Sequence, residues 1–369
     1  MKPSLRLPFL LLLLLALFTA LSFHSILRRP SITAATPPLL RLNSTLLRLA
    51  SIDANESSER KEVSDLLSAS SFDSDPRHRS ISSYRRRFHR PVRRPPAGDL
   101  SRIWPDFRRS LRGWFRDKRY DVSAMSRLLS QIRLPRRYSS CAVVGNSGIL
   151  LRSEHGRLID SHEAVIRLNN ARAAGFGRHV GEKTTIAFIN SNILHLCARR
   201  EGCHCNPYGD AVPIVMYMCQ PIHFVDYAVC NVSHRESPIV VTDPRFDVLC
   251  ARIVKYYSMR RFIGETGRDV GEWSAAHDGR MFHYSSGMQA VMLAIGVCEK
   301  VNLFGFGKSE GAKHHYHTNQ KAELSLHDYE AEYDLYRDLV ERPEAIPFLS
   351  ESGFAVPPVV IYRAIITYE

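Results

Sequence analysis

All eight cysteines of this chain lie after residue 140, and all of its excess positive charge lies before it. Divided just before Cys141, the first segment holds 27 basic and 11 acidic side chains, and the second holds 23 and 26. The net charge of +13 therefore belongs to the first segment, while the segment able to build a large core is slightly acidic. Binding of DNA or RNA needs the positive field on the folded surface, so nucleic acid is excluded as a partner. The 229 residues of the second segment suffice for one α/β domain with a substantial core.

The chain begins with Lys2 and Arg6, then runs from Leu7-Pro8-Phe9 through a leucine-rich stretch to Phe23 before Arg28-Arg29. Seventeen such residues span about 25 Å as a helix, within the range of a membrane segment. A cleaved signal peptide is the rival reading. The apolar run is long for a signal core and no small-residue cleavage site directly follows it, so an anchor is expected. The layout expected is a cytoplasmic tail at 1–6, a transmembrane signal anchor at 7–27, a stem at 28–135 and a lumenal domain at 136–369.

From Pro30 to Pro135 the chain is rich in Arg, Ser and Pro, with Tyr84-Arg85-Arg86-Arg87-Phe88-His89-Arg90-Pro91-Val92-Arg93-Arg94 as its extreme. Such a stretch buries too little apolar surface to offset its ordering entropy, which predicts a flexible stalk. Behind a membrane segment, its arginines read as a solvated spacer that attracts anionic lipid or glycan. Trp104, Phe107, Leu111, Trp114 and Phe115 are the exception. Their helical spacing within 104–132 predicts one amphipathic helix on the domain or the membrane. Sequons at Asn43, Asn55 and Asn231 predict N-glycosylation and fit a lumenal protein.

Eight cysteines confined to the folded segment of a secretory chain point to disulfides. The rival is a zinc site, because His195, Cys197, Cys203, His204 and Cys205 crowd one stretch. Their C-x5-C-x-C spacing lacks the paired C-x2-C of zinc knuckles, so bridges are favoured.

Cys141-Ala142-Val143-Val144 is a short apolar run stopped by Gly145-Asn146-Ser147-Gly148, after which Ile149-Leu150-Leu151 begins a helical pattern. A strand, a glycine-bearing turn and a helix place amide groups where an anion can sit. Further strands are expected at 164–168, 184–189, 212–218, 238–242 and 300–307, the last ending in a glycine-flanked aromatic, with helical patterns between them. A doubly wound, mainly parallel α/β sheet follows. A second anion site is expected where Ser285-Ser286-Gly287 opens the helical run from Met288 to Ile295. His314-His315-Tyr316-His317, followed by His327, offers four imidazoles without H-E-x-x-H or a nearby cysteine. Proton transfer and phosphate contact suit them better than a metal.

In combination these stretches resemble the eukaryotic sialyltransferase family, glycosyltransferase family 29, and within it the plant branch. The large motif is similar to the stretch from Cys141 through Arg167-Leu168-Asn169-Asn170-Ala171 to Thr185, and the small motif to the stretch from Ser285 to Gly307. The third is similar to His314-His315-Tyr316-His317 and the very small one to His327 with Glu332. Tyr284 stands where the family commonly has proline, and Glu299 where aspartate is frequent.

The resemblance implies a GT-A-like catalytic domain, a Cys141–Cys298 bridge and a single-pass type II Golgi membrane protein. It implies that Asn146, Ser147, Asn169, Ser285, Ser286, Gly287, Phe306 and His314 bind the donor nucleotide. His327 is then the general base on the acceptor hydroxyl, and His315 stabilises the departing phosphate. The implied partners are a nucleotide-sugar donor, a glycan or glycoprotein acceptor ending in galactose, and other Golgi glycosyltransferases.

A CMP-sugar leaves through one phosphate, whose added charge amides, hydroxyls and an imidazole can stabilise. A nucleoside-diphosphate donor usually recruits a divalent ion through carboxylates, and the only D-x-D is Asp73-Ser74-Asp75 in the expected stem. Metal-independent inverting transfer of an acidic sugar, sialic acid or Kdo-like, is the expectation, with no cofactor. The alternatives are a UDP-galactose-dependent transferase of arabinogalactan and a catalytically weak scaffold for other Golgi glycosyltransferases.

Overall fold

The computed structural model describes residues 38–69, 97–198, 205, 207–209, 211–233, 236, 238–277, 282–318, 324 and 326–362. Strands β1 (Cys141–Val144), β2 (Ala164–Leu168), β4 (Ile214–Tyr217) and β6 (Val301–Phe304) are buried at every position. Continuous apolar runs of this kind mark strands covered on both faces, the condition of a parallel sheet. With β3 (Ile186–Asn190), β5 (Ile239–Val241) and β7 (Val359–Tyr362) they form one seven-stranded sheet in the order β5-β4-β3-β2-β1-β6-β7. Every neighbouring pair is parallel.

The helices of eight residues or more among the described residues are α1 (Pro38–Ala50), α2 (Glu56–Ser68), α3 (Ala97–Asp117), α4 (Ser191–Ala198), α5 (Phe224–Ser233), α6 (Pro244–Thr266), α7 (Ser286–Val297) and α8 (Tyr329–Glu341). Alternate strand residues face opposite layers, as a pleated strand requires. Phe188 and Tyr217 join the core under α6, α7 and α8, while Ala187, Ile189 and Met216 join the one under α3 and α5. The winding is therefore double.

The chain leaves β1 toward β2 and the strands beyond it, then returns to β6 on the other side of β1. Ligands of open α/β sheets bind outside the carboxyl ends of the strands at such a reversal. Val144 is in register with both Arg167 and Phe304, so β1, β2 and β6 end nearly level. Gly145 donates its N–H to Phe304 O at 2.7 Å, and a Cβ on Gly145 would fall 2.6 Å from Gly305 O. Only glycine permits that approach.

The chain divides into two compact units, Met1–Thr45 and Leu46–Glu369. Within the second, the stem expectation needs correction. Leu46 and Ala50 of α1 lie in the first core, and Val63 and Leu66 of α2 lie in the second with Ile103, Phe107, Leu111 and Trp114 of α3. The apolar residues are few, but at helical intervals they form one stripe per helix, which is all that packing on a sheet requires. The helix expected across 104–132 ends at Asp117, and a turn capped by the Asp121 carboxylate on Ser123 N (2.9 Å) follows.

The expected anchor at 7–27 and the arginine run at 84–94 lie outside the described residues. Among the described residues no helix is long and apolar enough to cross a membrane. Asn43, Asn55 and Asn231 are exposed. Disulfides join Cys141 to Cys298 and Cys205 to Cys230. Cys205 is thereby committed and cannot join the zinc cluster considered from the sequence.

Candidate active site

The ends of the central strands and one helix start converge at the reversal of the sheet. The loop after β1 does not supply the helix-end anion site expected of it. Gly148–Arg152 is a single five-residue 3-10 turn, and its leading amides are already used. Gly148 N donates to Lys313 O (2.9 Å), Ile149 N to Ser147 Oγ (3.4 Å) and Leu150 N to Ser147 O (3.2 Å). Ser147, expected at the donor, donates its hydroxyl to Gly307 O (2.8 Å) and so ties the β1 loop to the β6 loop. Asn146 remains as the polar group of this loop. Its Oδ1 is buried without a hydrogen-bond partner among the described residues, while its backbone carbonyl accepts Tyr316 N at 2.8 Å.

The start of α7 is the anion site that the fold builds. Ser286 and Gly287 are its first two residues, whose N–H groups have no acceptor inside the helix. A Cβ on Gly287 would meet the Phe306 ring at 3.2 Å, so the expected donor residues Gly287 and Phe306 are packed together. Ser285, expected to touch the donor, is used as the cap. Its Oγ accepts Met288 N (3.1 Å) and donates to Glu332 Oε2 (2.6 Å), while its N–H donates to Glu332 Oε1 (2.7 Å). Burial pushes the Glu332 carboxyl up to about 7 against these hydrogen bonds.

Ser286 Oγ is a hub. Asn169 Nδ2 reaches it at 3.3 Å, Asn190 Nδ2 at 3.1 Å and the Tyr217 hydroxyl at 3.2 Å. Asn169 sits at the end of β2 with φ +53°, a left-handed conformation that Asn tolerates, and its Oδ1 accepts Asn190 N at 3.1 Å. Behind it Arg167, fully buried, donates from Nε to Lys183 O and Thr184 Oγ1, both at 3.0 Å. Its terminal nitrogens are buried without a hydrogen-bond partner among the described residues, and Nη2 lies 4.0 Å from Asp160 Oδ1, on the sheet face opposite α7.

The histidines form a second wall. His314 and His315 stack at 4.4 Å, His315 and His317 at 5.7 Å, and Tyr329 lies 5.3 Å from His314 and 5.6 Å from His327. His327 Nδ1 lies 2.9 Å from His283 O. A carbonyl only accepts, so the proton is on Nδ1 and the lone pair on Nε2, as a base requires. Burial, then the nearby His283 and His314, lower the His327 imidazole to about 4 and keep it neutral.

Sequence reasoning missed Arg167, Asn190, Tyr217 and His283 as site residues. The end-of-strand positions of Asn190 and Tyr217 were the signal at hand, because a polar residue closing an apolar parallel strand points to the crevice.

A parallel doubly wound sheet with amides, hydroxyls and imidazoles gathered at its reversal defines an α/β enzyme of group transfer. The family model described as glycosyltransferase family 29 (sialyltransferase) matches residues 101–343, and the chain belongs to that family. It is 54% identical to "Sialyltransferase-like protein 1" of Oryza sativa subsp. japonica, over 98% of this chain and 100% of the relative. It is 52% identical to "Beta-1,6-galactosyltransferase GALT29A" of Arabidopsis thaliana, over 87% of each. A crystal structure of a mammalian sialyltransferase aligns with 22% identity and a TM-score of 0.39, over 70% of this chain and 85% of that one. The protein is a glycosyltransferase.

Proposed function

We propose that the protein transfers an acidic sugar, sialic acid or a Kdo-like residue, from a CMP-sugar to a galactose-terminated glycan or glycoprotein, with inversion and without a metal. The observation that carries this reading is the chemistry around α7. The groups gathered there are amides, hydroxyls and imidazoles, and the carboxylate beside them, Glu332, is bound to Ser285. Such a set suits one phosphate, whose added charge neutral donors can stabilise.

In this mechanism His327 Nε2 takes the proton of the acceptor hydroxyl as its oxygen attacks the anomeric carbon. The bond from that carbon to the phosphate oxygen breaks, and CMP departs with the electron pair. Ser286, the amides opening α7 and His315 receive the charge that develops on the phosphate. Asn146 Oδ1 is placed to accept a ribose hydroxyl. The disulfides Cys141–Cys298 and Cys205–Cys230 support an oxidising compartment, and we place the protein in the Golgi membrane as a type II protein with this domain lumenal.

The galactosyltransferase relative favours a second reading, transfer of galactose from UDP-galactose to arabinogalactan. Full-length protein in detergent, offered each donor with EDTA or with manganese, separates the two. The expected result is transfer from a CMP-sugar in EDTA, reduced about 100-fold or more in His327→Ala with CMP binding retained. A strict manganese requirement with UDP-galactose, and no reaction with CMP-sugars, would overturn the first reading in favour of the second.

A further inference from the structure

Beside the donor crevice, three chain segments bring together side chains that the transfer chemistry does not use. His195 is on α4, which follows directly from Asn190; His223 ends the 3-10 turn Pro221–His223; Asp226 is in the first turn of α5. One ligand atom from each lies within 4.8 Å of the others. His223 and Asp226 are each only 4% exposed. His195 Nδ1 lies 2.6 Å from Asp226 Oδ2, and the two imidazoles stack at 4.7 Å.

Ser191 orients the second histidine. Its Oγ accepts Cys219 N–H at 2.8 Å and lies 2.8 Å from His223 Nδ1. A buried hydroxyl on one ring nitrogen is the outer-shell support that fixes the orientation of metal-ligating histidines.

We propose that His195, His223 and Asp226 form a binding site for a divalent cation, with zinc the ion suited to two imidazoles and one carboxylate, and that the ion clamps α4 to α5. Bonds of about 2.0–2.2 Å to such a set separate tetrahedral ligand atoms by about 3.4 Å, so small side-chain rotations close the cluster. Three protein ligands leave a fourth position for water. The site reuses His195 from the sequence cluster but replaces the cysteines there, since Cys205 is bonded to Cys230. It has no part in the transfer chemistry proposed above.

The test uses the full-length chain, purified in detergent without a metal-binding tag. Zinc content is measured after dialysis against a weak chelator, and cobalt is added to the metal-free protein while visible absorption is recorded. The expected result is one zinc per chain, a four- or five-coordinate cobalt spectrum without a sulfur charge-transfer band, and a melting temperature raised by zinc. Asp226→Asn and the partly exposed His195→Gln should each weaken zinc binding tenfold or more, and Ser191→Ala about tenfold through His223. Comparable far-ultraviolet circular dichroism of the metal-free variants separates lost ligation from lost fold. Absence of zinc and cobalt binding at micromolar concentration, a sulfur-to-cobalt band, or wild-type affinity in both ligand variants would each overturn the proposal.

Discussion

The Ser286 hub predicts an unusual outcome for Asn190→Asp. Asn190 serves two structures with its two side-chain atoms. Its Oδ1 accepts Ile193 N at 3.1 Å and caps α4, and its Nδ2 donates to Ser286 Oγ at 3.1 Å. Aspartate keeps the cap and places a negative charge at a helix start, which is neutral to favourable by about 0.3–1 kcal/mol. At the other atom it replaces a donor with a carboxylate oxygen, which draws the Ser286 proton to itself and away from the bound phosphate. A hydrogen bond to a charged group contributes about 1.5–3 kcal/mol, so CMP affinity should fall about 10- to 150-fold with the melting temperature nearly unchanged. Calorimetric titration of CMP into the full-length protein and a thermal melt give both readouts. In a Ser286→Ala background only repulsion between the introduced carboxylate and the phosphate remains, so the same change should lose most of its effect. CMP affinity within twofold of the parent, or an undiminished effect without the Ser286 hydroxyl, would refute the hub.

Two further outcomes follow from burial. The His327 imidazole, lowered from the ordinary 6.5 to about 4, contributes stability that is present above pH 6.5 and lost as pH falls to 4, about 3 kcal/mol in all. The Glu332 carboxyl, raised to about 7, works in the opposite sense, with its stability present below 4.5 and lost as pH rises through 7. The wild type should therefore show a shallow dependence between pH 4.5 and 6.5, and Glu332→Gln a clear rise with pH, measured by urea unfolding at three pH values; parallel curves would contradict this. Truncation at residue 102 removes Leu46, Val63 and Leu66 from the two cores, and at about 1.5–3 kcal/mol for each buried side chain it should cost about 5 kcal/mol or more. An unchanged melting temperature in the truncated protein would show that α1 and α2 are dispensable.

Strands β1 to β6 are legible in the sequence because each is an apolar run closed by glycine, proline or a polar turn, and a parallel sheet makes no use of alternation. Strand β7 is not, since Val359–Tyr362 is an edge strand in which only Val359 is buried. Helices α1 and α2 are hidden for a different reason. Four buried residues, Leu46, Ala50, Val63 and Leu66, are diluted by exposed Arg, Glu and Ser, so the composition reads as solvated spacer while the stripe reads as helix. At the site, Asn146, Asn169, Ser286, Gly287, Phe306 and His327 can be named in advance because they lie in recognisable motifs. Asn190 and Tyr217 each close an apolar strand, which is a local signal, but that they meet depends on the parallel register of β3 and β4. The internal partners of Ser147 and Ser285, Gly307 for one and Met288 with Glu332 for the other, are not legible in the sequence, because a hydroxyl beside a helix start serves equally as ligand contact or as cap.

Helix α7 is held at both ends by different means, and that separation makes the disulfide testable. At the amino end, Glu332 of α8 fixes Ser285; at the carboxyl end, Cys298 is bonded to Cys141 at the start of β1. The bonded cysteines are 157 residues apart, both fully buried, and closing a loop of that length removes unfolded-state entropy equivalent to about 5 kcal/mol at room temperature. A Cys141→Ala, Cys298→Ala double variant should thus lose stability, at the roughly 2–5 kcal/mol usual for native bridges. The donor contacts proposed above lie at the other end of the helix, where the carboxylate cap is untouched. At a temperature well below the new melting point, CMP affinity should therefore change less than about threefold while the melting temperature drops. Melts and CMP titrations on the same preparation check this. A variant that melts like the parent would refute the entropic account. One that stays folded yet loses CMP binding tenfold would show that the bridge, and not the Ser285–Glu332 cap, positions the start of α7.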